Sequence, residues 1–351
     1  MGLMFIVGRA GSGKTHFCLR EIAQRQLKSS NEKLFYIVPE QYTLQAEKDL
    51  IGLTENGVIM RAQVLSFSRL CYNILSLNGG LNKTPLSDTG KALVIRKIIS
   101  ENMDKFLYFQ NCAGRFSFTE QVCATITELF KYGVSPENLS MSFENEMSSV
   151  MFMKAHDIGI IYKQFIKYMS EGYISSETSL DMLYSSMEDS SFVSDGEIWL
   201  DGFSSFTPQE LKIIERLIKS AKNVFITLTI NKAAVNNPNL SETSVFYQTK
   251  KTYSQIVKLA EKIGVNVSVK YMGEPLRFKT DGLKNLENGF LYHNPSQNKC
   301  GTEIEIYSAD TPFDQAQNIV CRIIELRKNG YKFNDMAVLT GNLENSASLI
   351  K

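Results

Sequence analysis

The stretch Leu3-Met4-Phe5-Ile6-Val7-Gly8-Arg9-Ala10-Gly11-Ser12-Gly13-Lys14-Thr15 decides how this chain folds. The apolar run Leu3 to Val7 predicts a strand covered on both faces, as in parallel α/β sheets. Residues Gly8, Arg9, Ala10, Gly11, Ser12, Gly13, Lys14 and Thr15 then fit G-x-x-x-x-G-K-[ST] at every fixed position. Glycines let such a loop curl until successive N–H groups point inward at phosphate oxygens. Lys14 is expected to reach the β- and γ-phosphates of ATP, and the Thr15 hydroxyl to ligate Mg²⁺. A helix opening at this point adds its positive N-terminal end to the same anion site.

Outward from this loop, further buried-strand runs follow. They are Leu34 to Val38 (stopped by Pro39), Val64 to Phe67, Ile198 to Leu200, and Val224 to Ile230. Between the last two, Thr207, Pro208 and Glu210 spell the capping box of a helix running to about Ala221. Strand, helix and strand in that order predict a parallel sheet. From about Leu86 to Ser194 apolar residues recur at helical spacing instead, over about 92–99, 119–130 and 150–169. Ser117 with Glu120 reads as a second capping box, and Gly133 as the residue ending that helix. This block reads as an all-helical subdomain inserted into the sheet domain. An Asn-, Ser- and Gly-rich linker is expected from about Gly273 to Gly301. A strand at Glu303–Tyr307, a helix at about Phe313–Asn329 and a strand at Met336–Leu339 then open a second α/β unit. Two strands are too few to bury a core, so the natural protein is expected to continue past Lys351.

A phosphate loop that works on ATP also needs an acid at the end of another strand to steady the metal. Ile198-Trp199-Leu200-Asp201 supplies it, making Asp201 the second expected Mg²⁺ contact. The next position, where hydrolysing helicases place a water-orienting Glu, is Gly202. Glycine has no proton acceptor, so ATP binding with weak or absent turnover is expected. Glu210 reads as part of its capping box rather than as a substitute base.

Composition narrows the class. There are 38 Lys+Arg against 37 Asp+Glu, so the molecule has no whole-body field to capture nucleic acid or membrane, and any DNA site is a local patch. At 43% apolar and 21% charged residues the chain is an ordinary globular one. Its six cysteines show no metal or disulfide spacing and read as free thiols. The first residues carry no basic leader, and Leu3–Val7 is too short for a membrane span, so a cytoplasmic protein is expected.

Four segments in this order resemble a known family: the N-terminal phosphate loop; Val38-Pro39-Glu40-Gln41-Tyr42-Thr43-Leu44-Gln45-Ala46-Glu47; Val64-Leu65-Ser66-Phe67-Ser68-Arg69-Leu70; and Trp199-Leu200-Asp201-Gly202-Phe203. Together they look like the start of AddB, the second subunit of the AddAB helicase–nucleases of Gram-positive bacteria. That family is similar to UvrD-like superfamily 1 helicases with a decayed motor. The resemblance implies an α/β P-loop NTPase fold of the RecA-like type. Residues 1–86 and 197–272 would form motor domain 1A, 87–196 a helical 1B-like insertion, 273–302 a linker and 303–351 the truncated start of a second RecA-like domain, 2A.

The resemblance further implies an AddA-type helicase/nuclease partner, single-stranded DNA and duplex ends as substrate, and a role in double-strand break repair by homologous recombination. Gln41, Tyr42 and Thr43 sit where such motors first touch single-stranded DNA, and Ser66 and Phe67 where the next contact lies; Tyr42 and Phe67 are equally readable as core residues. An iron–sulfur cluster is implied only for the part beyond Lys351. The chain departs from active motors in three ways. No segment before the first strand is expected to supply an adenine-contacting glutamine. Asn231-Lys232-Ala233 stands where a Gly-Asp-x-x-Gln motif would be, and the arginine-bearing motor motifs would lie past Lys351. Two rivals remain: an autonomous P-loop ATPase or kinase whose base comes from another strand, and a non-catalytic DNA- or partner-binding scaffold with a vestigial nucleotide site.

Overall fold

A computed structural model describes residues 2–27, 32–54, 57–77, 84–141, 149–174, 176–187, 192–292, 303–342 and 349. It divides into two compact units, Met1–Arg277 and Phe278–Lys351. The first unit contains strands β1 (Gly2–Gly8), β2 (Leu34–Ile37), β3 (Ala62–Leu65), β4 (Thr84–Pro85), β5 (Tyr173–Ile174), β6 (Glu197–Leu200), β7 (Asn223–Thr229) and β8 (Val267–Tyr271). Its helices are α1 (Lys14–Gln26), α2 (Thr43–Gly52), α3 (Phe67–Leu77), α4 (Asp88–Asn102), α5 (Phe116–Lys131), α6 (Pro136–Met141), α7 (Val150–Ser170), α8 (Ser176–Ser186), α9 (Pro208–Ser220), α10 (Lys232–Asn236) and α11 (Tyr247–Ile263). The second unit holds α12 (Asp281–Tyr292) and α13 (Pro312–Lys328).

Six strands form one sheet in the order β3-β2-β6-β7-β1-β8, and every neighbouring pair is parallel. The strands expected for this unit all form. The third shifts to Ala62–Leu65 because Ser66 turns the chain into α3, its Oγ accepting from the Arg69 N–H at 3.2 Å. Strand β8 escapes the sequence reading because Val267-Ser268-Val269-Lys270-Tyr271 lies at the sheet edge, where half the side chains face water. The box at Thr207 forms as expected: the Thr207 Oγ1 accepts from the Glu210 N–H at 3.3 Å, and the Glu210 carboxylate accepts from the Thr207 N–H at 2.7 Å.

Between sheet and α1/α2 lies an apolar layer of Ile22, Leu34, Tyr36, Leu50 and Trp199, all buried. Trp199 stacks on Phe225 with ring centres 3.8 Å apart, and the Arg25 guanidinium lies over both rings. Arg25 is also paired with buried Glu197, at 2.6 Å to each oxygen. Removing one partner of a buried pair strands the other charge. Arg25 is about a quarter exposed, which softens the loss. Arg25→Met is therefore expected to lower stability by about 2 kcal/mol in urea titration, and a loss under about 0.5 kcal/mol would show the pair to be neutral.

The helical block has its own core, built from Ile95, Ile99, Val122, Ile126, Ile161 and Phe165. Helices α4, α5 and α7 cover the three periodic segments read from the sequence, and Gly133 ends α5 with φ 67°. One expectation needs correction. The Ser117–Glu120 box does not form, because α5 already begins at Phe116, with Arg115 at its N-cap and no side-chain cap. Helix α8 packs against α3 and α9 of the sheet domain as well as against α5.

In the second unit, α13 forms with Thr311 as N-cap and Pro312 at its first position. The strands expected at Glu303–Tyr307 and Met336–Leu339 do not form; a strand needs a ladder partner, and neither segment has one among the described residues. The expected linker contains helix α12, and its residues 293–302 lie outside the described ones. Among the described residues no helix is long and apolar enough to cross a membrane.

Candidate nucleotide-binding site

Strand β1 delivers the chain to the phosphate loop and α1 leads it away. Gly11 and Gly13 take φ of 76° and 84°, a region that side chains resist, and Gly13 is the N-cap of α1. The Ser12 side chain is buried at 2% exposure, and its Oγ has no hydrogen-bond partner. A buried hydroxyl without a partner is costly, and an arriving phosphate oxygen would satisfy it. Lys14 is also buried; its Nζ donates to the Gly8 and Arg9 carbonyls, each at 2.9 Å. Burial lowers its pKa, Asp201 pulls it back up, and the nearby Arg277 lowers it further.

Asp201 emerges from β6 at 2% exposure. Its Oδ2 accepts from the Tyr36 hydroxyl at 2.7 Å, and its Oδ1 accepts from the Thr227 hydroxyl. Burial, then the Asp201 charge, drives the Tyr36 phenol far above its ordinary pKa, so it stays a donor. Phosphate loop, Asp201 and Thr227 line one cavity of about 1470 Å³. The carboxylates on its wall, among the described residues, are Asp201 and Asp49. Asp49 is already engaged, accepting from Tyr42 at 3.0 Å and Gln45 at 2.7 Å. No glutamate from elsewhere lines the cavity among the described residues. Among them, too, no group of three or more His, Cys, Asp or Glu could hold a metal. Magnesium takes six oxygens, so Thr15 and Asp201 suit an ion whose remaining ligands are phosphate and water.

Gly202 has φ 83°, and a Cβ there would lie 3.2 Å from the Cδ of Pro39. The backbone itself therefore disfavours a side chain at this position.

The segment after β8, expected to begin the linker, instead folds over the phosphate loop. Met272 N–H donates to the Val7 carbonyl at 2.7 Å, and Leu276 and Arg277 N–H both donate to the Gly11 carbonyl, at 2.9 and 3.3 Å. Glu274 pairs with Arg9. Arg277 thereby joins the cavity wall, and its guanidinium makes no hydrogen bond or ion pair among the described residues. The sequence reading missed this cation, as it missed Tyr36 and Thr227. Tyr36 sits inside an apolar strand run that reads as core, and Arg277 sits in a stretch that reads as linker.

The five residues expected against DNA are placed differently from one another. Gln41 is exposed and Thr43 half-buried, its hydroxyl donating to the Glu40 carbonyl at 3.0 Å. Tyr42 packs against the core layer, and burial followed by its bond to Asp49 pushes its pKa up to about 12. Ser66 is buried as the cap of α3. Phe67 is buried edge-on to Phe203 and Phe206, with ring centres 5.6 and 6.3 Å away.

A family described as ADDB, N-terminal, matches residues 5–287. The chain belongs to this family. Over its whole length it is similar to proteins named as the B subunits of ATP-dependent helicase/deoxyribonucleases. It is 33% identical to that of Alkaliphilus oremlandii, 34% to that of Caldanaerobacter subterraneus subsp. tengcongensis and 35% to that of Ruminiclostridium cellulolyticum. It spans 30–31% of the length of these relatives. Family membership agrees with the resemblance carried by the phosphate loop, the Val38–Glu47 and Val64–Leu70 segments and the Trp199–Phe203 segment.

Proposed function

We propose that this chain is the N-terminal part of an AddB-type subunit that binds ATP–Mg²⁺ and turns it over slowly or not at all. One observation carries this reading: a glycine cradle with a buried lysine shares its cavity with a buried acid at a strand end, followed by a glycine held at φ 83°. The cradle's amides, Lys14 and Arg277 would hold the phosphates, and Thr15 and Asp201 would face the metal. When bound, the metal neutralises phosphate charge. The sheet domain and helical block correspond to a RecA-like domain 1A with a 1B-like insertion, and residues 303–351 to the start of 2A. Paired with an AddA-type subunit, the whole protein would act on duplex ends and single-stranded DNA in recombinational repair of double-strand breaks. Gln41 and Thr43 are the surface positions here best suited to touch DNA phosphates. An iron–sulfur cluster would belong to the remainder of the protein.

Isothermal titration of the chain with a non-hydrolysable ATP analogue tests the reading; absence of binding would overturn it. Phosphate release that disappears in Lys14→Ala would establish the rival autonomous ATPase. DNA or partner binding without any nucleotide binding would establish the scaffold. The backbone at Gly202 makes a further prediction. Gly202→Glu is expected to leave phosphate release at background and to lower stability by about 1–2 kcal/mol, from a left-handed side chain pressed toward Pro39. Recovery of turnover in this variant would show that the side chain alone was missing.

A further inference from the structure

Lys14 and Asp201 are opposite charges, both buried, on the wall of one cavity, and Asp201 acts electrostatically on Lys14. At such buried positions an ammonium and a carboxylate attract more strongly than in open water, yet the two make no ion pair. Each is held elsewhere. Lys14 donates back to the carbonyls of Gly8 and Arg9. Asp201 receives one hydroxyl on each oxygen, from Tyr36 on β2 and Thr227 on β7, the strands flanking β6 on either side. Its backbone N–H is fixed as well, to the Ile37 carbonyl at 3.0 Å. Tyr36 is wholly buried, so its ring has no freedom to swing away.

We propose that Tyr36 and Thr227 are positioning residues that clamp Asp201 apart from Lys14, so that the lysine stays available for phosphate and the acid for a metal-bound water. This rests on the nucleotide reading above. A carboxylate has about four lone-pair sites. The two hydroxyls take one on each oxygen and leave the others to face the cavity. Without the Tyr36 hydroxyl, the electrostatically favoured donor for the freed oxygen is the Lys14 ammonium. The collapsed pair would then have to be broken by each arriving nucleotide. Holding both groups in their working places before the ligand arrives is preorganisation, obtained here from two neutral hydroxyls.

The test is a double-mutant cycle, read as affinity of the chain for a non-hydrolysable ATP analogue by titration calorimetry, in EDTA and in Mg²⁺. Tyr36→Phe is expected to weaken binding in EDTA about tenfold. Asp201→Asn is expected to lose the gain that Mg²⁺ confers. In the Asp201→Asn background, Tyr36→Phe should then cost nothing, because there is no charged acid left to trap the lysine. Thr227→Val should repeat the Tyr36→Phe pattern, which guards against one variant failing to fold; the fluorescence of Trp199, the only tryptophan, reports folding in each case. An equal loss from Tyr36→Phe with and without Asp201 would make its role ordinary packing and overturn the clamp. So would Tyr36→Phe and Thr227→Val variants that bind as tightly as the unaltered chain. If the unaltered chain binds no analogue at all, it is the nucleotide reading that falls, and the clamp with it.

Discussion

Lys14→Ala is expected to raise the dissociation constant for a non-hydrolysable ATP analogue by on the order of 100-fold, about 2.7 kcal/mol. Lys14 is the buried cation of the cradle, and its ammonium already lies among the loop carbonyls at 2.9 Å. Backbone amides and Arg277 remain in the variant, so some phosphate affinity survives. Truncating one member of a buried, hydrogen-bonded charge contact typically costs about 2–5 kcal/mol, and the lower half of that range applies because Arg277 and the loop amides still line the cavity. In the free protein the same change removes a cation whose burial is only partly compensated, so the folded state should not suffer. Loss of binding with an unchanged thermal midpoint is therefore the expected signature. Unchanged binding would mean that the cradle does not hold a triphosphate.

The second large effect lies in the helical block. Asp157 is wholly buried in α7, and its carboxylate accepts from three successive backbone amides: Leu107 at 2.8 Å, Tyr108 at 2.9 Å and Phe109 at 2.9 Å. The ring of His156 adds a contact at 3.2 Å. A charge this deep is tolerable only because those N–H groups replace its water, and the carboxylate is in turn their acceptor. Asp157→Ala leaves three amides unsatisfied. It should lower the stability of the block by on the order of 3–5 kcal/mol in urea unfolding followed by circular dichroism. Asp157→Asn, which turns a donor toward some of those amides, should cost about half as much. Because the block has its own core, analogue binding at the phosphate loop should persist under conditions where both domains stay folded. A loss below about 1 kcal/mol in the alanine variant would mean that solvent satisfies the loop.

These cases differ in how far the amino-acid order announced them. The phosphate loop, the Thr207 cap and the strands at β1, β2, β6 and β7 were readable because each depends on residues within a few positions of one another. Asp157 was not. In sequence it is one polar residue within a helical pattern, about fifty positions from the amides it serves. The Ser117–Glu120 box matched the pattern yet failed to form, since the chain entered its helix two residues earlier. The strands expected at Glu303–Tyr307 and Met336–Leu339 were apolar enough but lacked neighbours to pair with among the described residues. Phe67, placed by resemblance beside DNA, lies against Phe203 and Phe206, a contact that only the return of the chain at β6 creates.

By itself the sequence determined the cradle, because glycine backbone angles and a strand-to-helix junction are properties of contiguous residues. It also placed an acid, and a glycine after it, at the end of β6. Only the tertiary structure decided what surrounds that acid. Sheet order puts β6 between β2 and β7, which brings one hydroxyl to each side of Asp201, and the return of the chain after β8 brings Arg277 to the loop. Strand order is settled by the burial of whole faces, and no local stretch of residues encodes which strand becomes whose neighbour.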